Sequence, residues 1–94
     1  MAGDPRPEDL PGLLASALAT VRGKRAQVPT SSMYESIEAQ LEYMDRTVRA
    51  GDRPPIDKLK TINVGLLAVR EIEASDPDFA DALMRIQYLF EQLR

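Results

Sequence analysis

Apolar side chains recur along most of the chain at intervals of three and four residues, which is the spacing of amphipathic α-helices. Segments rich in Gly, Pro and Ser interrupt the pattern at three places. The pattern predicts four helices, over Glu8 to Lys24, Ser32 to Ala50, Ile56 to Ala74 and Pro77 to Leu93. We therefore expect an all-α fold, a compact bundle of four helices.

The third predicted helix carries apolar residues on most of its circumference. At 100° per residue one stripe comprises Leu59, Ile62, Leu66 and Val69, and the other sides carry Val64, Leu67, Ala68 and Ile72. A helix of this kind must be covered on more than one side, so we expect it to be central and the most buried. Gly65 costs roughly 1 kcal/mol relative to alanine in mid-helix, which indicates that a neighbouring helix approaches closely there.

N-terminal capping motifs are predicted at the start of the second and of the fourth helix. Ser32 and Glu35 have the spacing of a capping box at the start of the second helix. The stretch Ser75-Asp76-Pro77-Asp78 provides an N-cap residue, Ser75 or Asp76, followed by proline at the first helical position. The third helix should therefore turn sharply into the fourth.

Length and composition exclude several classes of protein. The 94 residues make one domain, residues 1–94, with Met1 to Pro7 as a flexible lead-in. The chain has no Cys and no His, which removes disulfides, thiolate nucleophiles, ordinary zinc sites and the usual base of a serine triad. A net charge of −3 argues against nucleic acid as a partner. No segment reads as a membrane span or a signal peptide, so we expect a cytoplasmic protein that uses no metal or other cofactor.

Two surfaces could contact a partner. The first is a line of carboxylates on the second helix, here called the acidic ridge, made of Glu35, Glu38, Glu42 and Asp45. Like charges at these spacings cost a few tenths of a kcal/mol per pair unless something compensates them. The ridge is either a solvated face or a surface for a basic partner. On the opposite side of the same helix, Tyr43 lies among small residues and is either core or contact.

The second surface lies on the last helix, turned away from its apolar face. This outer stripe comprises Asp81, Met84, Tyr88 and Glu91. Tyrosine and methionine are both favoured at protein interfaces. The alternative is that the bundle extends further round the helix and covers them.

Several short motifs together resemble a known family, the small helical immunity proteins of bacterial type VI secretion. The motifs are Glu38-Ala39-Gln40-Leu41-Glu42-Tyr43-Met44, Leu59, Gly65, Ala68-Val69-Arg70-Glu71, Ser75-Asp76-Pro77, Ala82-Leu83 and Gln87-Tyr88. The similarity covers roughly Tyr34 to Tyr88. Proteins of this kind neutralise NAD(P)+-hydrolysing effectors, and relatives guard against a nucleotide pyrophosphokinase effector.

The resemblance implies a protein that is not an enzyme. It would bind a cognate toxin domain in the cytosol, as a one-to-one complex, and occlude the toxin's active site. Most positions that carry the resemblance specify the fold, whereas the two surfaces are inferred from this sequence. The expected toxin-binding residues are Glu35, Glu38, Glu42, Asp45, Tyr43, Asp81, Met84 and Tyr88.

Three other functions fit the residues less well. Glu38 and Glu42, one turn apart, could hold a hard cation in an enzyme, but di-iron bundles pair Glu with His and this chain has none. In a helix-turn-helix regulator the last helix would be the recognition helix, and its acidic residues would repel the DNA phosphates. An adaptor or self-associating bundle would use Met84 and Tyr88 as its contact.

Overall fold

The computed structural model describes residues 7–93, and within them every regular element is helical. The elements are a 3₁₀ turn (Pro7–Asp9), α1 (Leu10–Gln27), α2 (Ser32–Ala50), α3 (Ile56–Leu59), α4 (Val64–Leu67), a π-helical segment that continues α4 (Ala68–Ile72), and α5 (Pro77–Glu91). The predicted all-α fold with four helical regions is confirmed. Apart from Pro7, the predicted flexible lead-in lies outside the described residues.

The core is built where α1 packs against α2 and α5, and where α5 packs against α4 and the π-helical segment. Each of the helices α1, α2 and α5 buries one face, as its apolar periodicity requires. The fully buried large side chains include Leu10, Leu14, Val21, Ile37, Leu41, Met44, Leu83, Ile86, Leu89 and Phe90. Burial of one such side chain contributes about 1.5–3 kcal/mol, so this set provides most of the driving force for folding.

Side-chain caps fix where α2 and α5 begin. Ser31 caps α2, because its Oγ accepts a hydrogen bond from the Tyr34 amide at 3.2 Å, so the cap lies one residue before the predicted Ser32. Asp76 caps α5 as predicted, since its Oδ1 accepts from the Phe79 amide at 3.2 Å. At the other end of α2, Gly51 has a φ of 70°, the left-handed conformation that ends many helices with glycine.

The third helical region differs from its prediction. It is interrupted between Leu59 and Val64, and it is not wrapped on all sides, because Leu66 is 54% and Val69 is 52% exposed. The central position expected for this region is therefore not confirmed. After the break, its buried residues are spaced by four: Val64, Ala68 and Ile72.

The π-helical segment explains why every fourth residue, from Val64 to Ile72, is buried there. In an α-helix, four residues rotate about 40° beyond a full turn, so such a series drifts around the axis. Here the Glu73 amide donates to the Ala68 carbonyl at 2.8 Å, a bond across five residues that widens the turn. The wider turn keeps Ala68 and Ile72 on the side that faces α5, while Leu66 and Val69 lie outside.

Two glutamines, here called the glutamine clasp, hold the start of α4. Gln87 of α5 accepts from the Gly65 amide at 2.8 Å and donates to the Ile62 carbonyl at 3.2 Å. Gln40 of α2 accepts from the Asn63 amide at 2.8 Å and donates to its Oδ1 at 2.6 Å. Asn63 itself makes no side-chain cap, so Gln87 supplies the acceptor that an N-cap residue normally provides.

The close approach expected at Gly65 is confirmed, and its partner is a side chain of α5. A Cβ atom at Gly65 would lie 3.0 Å from Gln87 Oε1, closer than nearly all real Cβ contacts. The glycine thus lets the Gln87 carboxamide reach the backbone amide directly.

We expect Gln87→Ala to lower the free energy of unfolding by about 1–2 kcal/mol, because it leaves a partly buried amide and carbonyl unpaired. Gln92→Ala, at the exposed position just after α5, is the control and should change stability by less than about 0.5 kcal/mol. Urea denaturation measures both. Equal stabilities for the two variants would contradict the role assigned to the clasp.

Candidate functional site

The acidic ridge of α2 lies against the basic end of α1. Arg25 donates to Glu38 Oε1 at 2.6 Å, and Arg22 reaches Glu38 Oε2 and Glu42 Oε2, each at 3.2 Å. The structure thus brings three of the carboxylates into one network with two arginines, since Glu35 also lies 3.7 Å from Arg25. The repulsion expected along the ridge is compensated within the chain.

The four ridge carboxylates differ in how much of each side chain is exposed to solvent. The side chains of Glu38 and Asp45 are 14% and 18% exposed, whereas those of Glu42 and Glu35 are 42% and 70% exposed. Asp45 pairs with Arg49 one turn later, at 2.9 Å. The ridge is therefore a band of alternating charge, and Glu35 is its most accessible carboxylate.

Hydrogen bonds in this network shift the ionisation of its members. The Arg25 hydrogen bond, helped by that of Arg22, holds the pKa of Glu38 below its ordinary value of 4.5, although partial burial works in the opposite direction. The same hydrogen bonds to Glu38 raise the pKa of both arginines. All three groups are consequently charged at neutral pH.

A second ion pair joins α1 to the start of α5. Lys24 Nζ lies 2.8 Å from Asp76 Oδ2 and 5.4 Å from the centre of the Phe79 ring. The Lys24 hydrogen bond and the Phe79 amide lower the pKa of Asp76. Asp76 therefore caps α5 and ties it to α1. The three cations near the end of α1, Arg22, Lys24 and Arg25, thus all form ion pairs within the chain.

The outer stripe of α5 is only partly exposed. Asp81 pairs with Arg85 at 2.8 Å, and Met84 is half-buried against the core. Tyr88 is 55% exposed. The sequence left open whether the bundle covers Met84 and Tyr88; the structure packs Met84 against the core and leaves Tyr88 exposed.

Leu66 and Val69 are exposed apolar residues that sequence reasoning placed in the core. The residue before Leu66, Gly65, donates its backbone amide to the Gln87 side chain of α5. The signal that could have identified them is the spacing of Val64, Ala68 and Ile72 by four, which leaves Leu66 and Val69 off the buried line.

Tyr43 lies on the side of α2 opposite the ridge. Its half-buried ring packs edge-on against Phe90, with centres 6.1 Å apart, and Lys58 Nζ lies 5.9 Å from its centre. Beside it is an open cleft of about 290 Å³, here called the Tyr43 cleft, lined by Ala39, Gln40, Tyr43, Arg46, Lys58, Thr61 and Ile62. Tyr43 thus belongs partly to the core and partly to a surface feature.

The pair of carboxylates considered as cation ligands lies on α2. Within residues 7–93 no three His, Cys, Asp or Glu side chains lie close enough together to hold a metal ion. Glu38 and Glu42, the pair considered as cation ligands, are bound to arginines. No helix in this range is long and apolar enough to cross a membrane.

The described residues form a small helical bundle whose candidate contact residues lie on α2 and α5. The family model of the Tsi6 proteins matches residues 9–92, and the chain belongs to this family of type VI secretion immunity proteins. The solved structure of Tsi6 from Pseudomonas aeruginosa is similar, with a TM-score of 0.76 and 28% sequence identity over 85% of this chain and 92% of that one. Membership of the family implies that the chain binds a cognate toxin. No curated protein sequence matches the chain.

We expect stability to fall as the pH drops below about 4.5. A folded-state pKa below the ordinary value means that the pairing of Glu38 is fully present above that pH and is lost as the carboxylate is protonated. Asp76 should add to the loss below about 3.8. Thermal melts from pH 7 to pH 3 measure the effect.

Glu38→Gln should be less stable near pH 7, by on the order of 1 kcal/mol, and should show a shallower decline in acid. Glu73→Gln is the matched control, since Glu73 is exposed and has no ion pair within residues 7–93. If Glu38→Gln and Glu73→Gln gave the same pH profile, the Arg22–Glu38–Arg25 network would have no measurable effect on stability.

Proposed function

We propose that this protein neutralises the toxin domain of a cognate type VI effector by binding it directly and covering its active site. The observation that carries the proposal is membership of the Tsi6 family over residues 9–92. The protein acts in the cytoplasm as a one-to-one inhibitor, has no catalytic activity of its own and uses no cofactor. The toxin it blocks hydrolyses NAD(P)+ or is a nucleotide pyrophosphokinase, as the resemblance implies.

Occlusion suits the physical character of the bundle. The helices that carry the candidate contact residues are fixed by a continuous core and by side-chain caps, so little conformational entropy is lost when a partner binds. A rigid surface of this kind can block the entrance of the toxin's active site without occupying the substrate position.

The outer stripe of α5 is the proposed apolar part of the contact. Tyr88 is an exposed aromatic residue on a rigid helix, the type of side chain that dominates many interfaces. Met84 lies beside it and adds a polarizable group that adapts to a partner, and Asp81 forms a polar edge.

The acidic ridge is the proposed polar part of the contact. A toxin that binds nucleotide phosphates needs cationic groups in its cleft, and Glu35 and Glu42 keep enough exposure to attract them. Glu38 and Asp45 act with their arginine partners in shaping this band. Charges at the rim of an interface mainly increase the rate of association and set its salt dependence. Tyr43 contributes from the opposite side of α2.

The proposal is tested with the toxic C-terminal domain of the effector whose gene neighbours that of this protein. Co-purification should give a stable one-to-one complex, and the protein should abolish NAD(P)+ loss or nucleotide pyrophosphorylation by that domain. A protein that leaves the toxin active and sediments only with itself would instead support the adaptor alternative, in which Met84 and Tyr88 form a dimer contact.

We expect Tyr88→Ala to weaken toxin binding by about 2 kcal/mol, roughly 30-fold in Kd, because it removes an aromatic anchor. Glu35→Lys should act mainly on the association rate, with a smaller effect at high salt. Titration calorimetry and stopped-flow measurements distinguish the two.

Ile56→Ala is the matched control for Tyr88→Ala, since Ile56 is 53% exposed and lies in α3, outside both proposed contact surfaces. It should leave the Kd within about twofold, because surface substitutions away from specific contacts have small effects. If Tyr88→Ala bound as tightly as this control, α5 would not provide the anchor.

A further inference from the structure

The Tyr43 cleft differs in charge from the surfaces described above. Two cations, Arg46 and Lys58, line it, and no carboxylate does. On the ridge side of α2, by contrast, Arg22, Arg25 and Arg49 each contact a carboxylate. Arg46 and Lys58 have no ion pair within residues 7–93. The cleft is a positive feature on a chain whose net charge is −3.

The carboxylate that could most easily neutralise Arg46 is already occupied. Glu42 precedes Arg46 by one helical turn, the spacing at which such pairs commonly form. Its Oε2 is instead bonded to Arg22 at 3.2 Å. The network between α1 and α2 therefore leaves the Arg46 guanidinium available at the cleft.

The two sides of the cleft are held in place. On the α3 side, Lys58 lies over the Tyr43 ring, which packs against the buried Phe90. The connection between α3 and α4 is tied to α2 by the two hydrogen bonds between Gln40 and Asn63. The fold thus fixes the backbone on both sides of the cleft and holds Lys58 over the Tyr43 ring before any ligand arrives, which reduces the entropy lost on binding.

We propose that the Tyr43 cleft receives an Asp or Glu side chain of the toxin domain, which binds between Arg46 and Lys58. The inference rests on the proposed function and identifies a specificity contact for it. A guanidinium offers a fork of donors that matches a carboxylate, and an ammonium adds a second charge from the other side.

The open shape of the cleft favours a side chain of a protein over a free small anion. Salt and water screen exposed charges strongly, so two surface cations alone hold a free anion weakly. A carboxylate carried by a docked protein is brought to the cleft by the remaining contacts of the interface, and its effective concentration there is high. The protein then binds toxins that carry an acidic residue at this position more tightly than toxins that do not.

The test compares toxin binding by the wild type, the double variant R46E/K58E and the double variant R53E/K60E. The control variant makes the same change in net charge with two exposed cations of the neighbouring segment that do not line the cleft. R46E/K58E should bind the toxin domain at least tenfold more weakly than R53E/K60E, and R46K/K58R should bind within about threefold of the wild type. Circular dichroism melts verify that each variant folds.

Two further measurements complete the test. An acidic toxin residue that faces the cleft, exchanged for lysine, should restore tight binding to R46E/K58E. Titration of the free protein with inorganic phosphate, followed by NMR at the Arg46 and Lys58 amides, should show no saturation at millimolar concentration.

The outcomes separate the two proposals. If the wild type fails to bind the toxin domain, the proposed function is wrong and the cleft inference is overturned with it. If the wild type binds and R46E/K58E binds like R53E/K60E, only the cleft inference is overturned. Saturable phosphate binding would also overturn it, because the cleft would then be a site for a free anion.

Discussion

The packing of the third helical region against α5 is the contact on which much of the protein's surface depends. The region is too short to form its own hydrogen-bonded nucleus, since α3 and α4 each have four residues. It is held because Val64, Ala68 and Ile72 are buried and because Gln87 bonds both Ile62 and Gly65. When this contact has formed, the side chains of Leu66 and Val69 are exposed to solvent. The segment between α3 and α4, which is hydrogen-bonded to α2, then forms one side of the Tyr43 cleft.

Several charged side chains of the helix faces pair with charges on a neighbouring helix. In a small bundle each polar helix face lies close to a neighbour, so the carboxylates of α2 are met by arginines of α1, and Asp76 is met by Lys24. These pairs reduce the net field of the ridge, whereas the cations of the Tyr43 cleft have no ion pair among the residues that the structure describes.

How much the sequence could predict differs from feature to feature. The bounds of α2, the cap at Asp76 and the buried faces of α1, α2 and α5 follow from periodicity and capping, which involve residues within a few positions of one another. The sequence indicated a close approach at Gly65, but it gave neither the position of this glycine at the start of α4 nor its partner Gln87. The error lay in treating Ile56 to Ala74 as one regular helix, which placed Leu66 and Val69 in the core although both are about half exposed.

The sequence by itself determined the all-α class, three of the four helices, the absence of cysteine and histidine chemistry, and the motifs that mark the family. Only the tertiary structure decided the break in the third region, its π turn, and the pairing of the ridge with α1. The physical reason is distance along the chain. Arg22 pairs with residues 16 and 20 positions away, and Gly65 is held by a side chain 22 positions away. Local propensity and periodicity contain no information on such contacts, which exist only once the helices have packed.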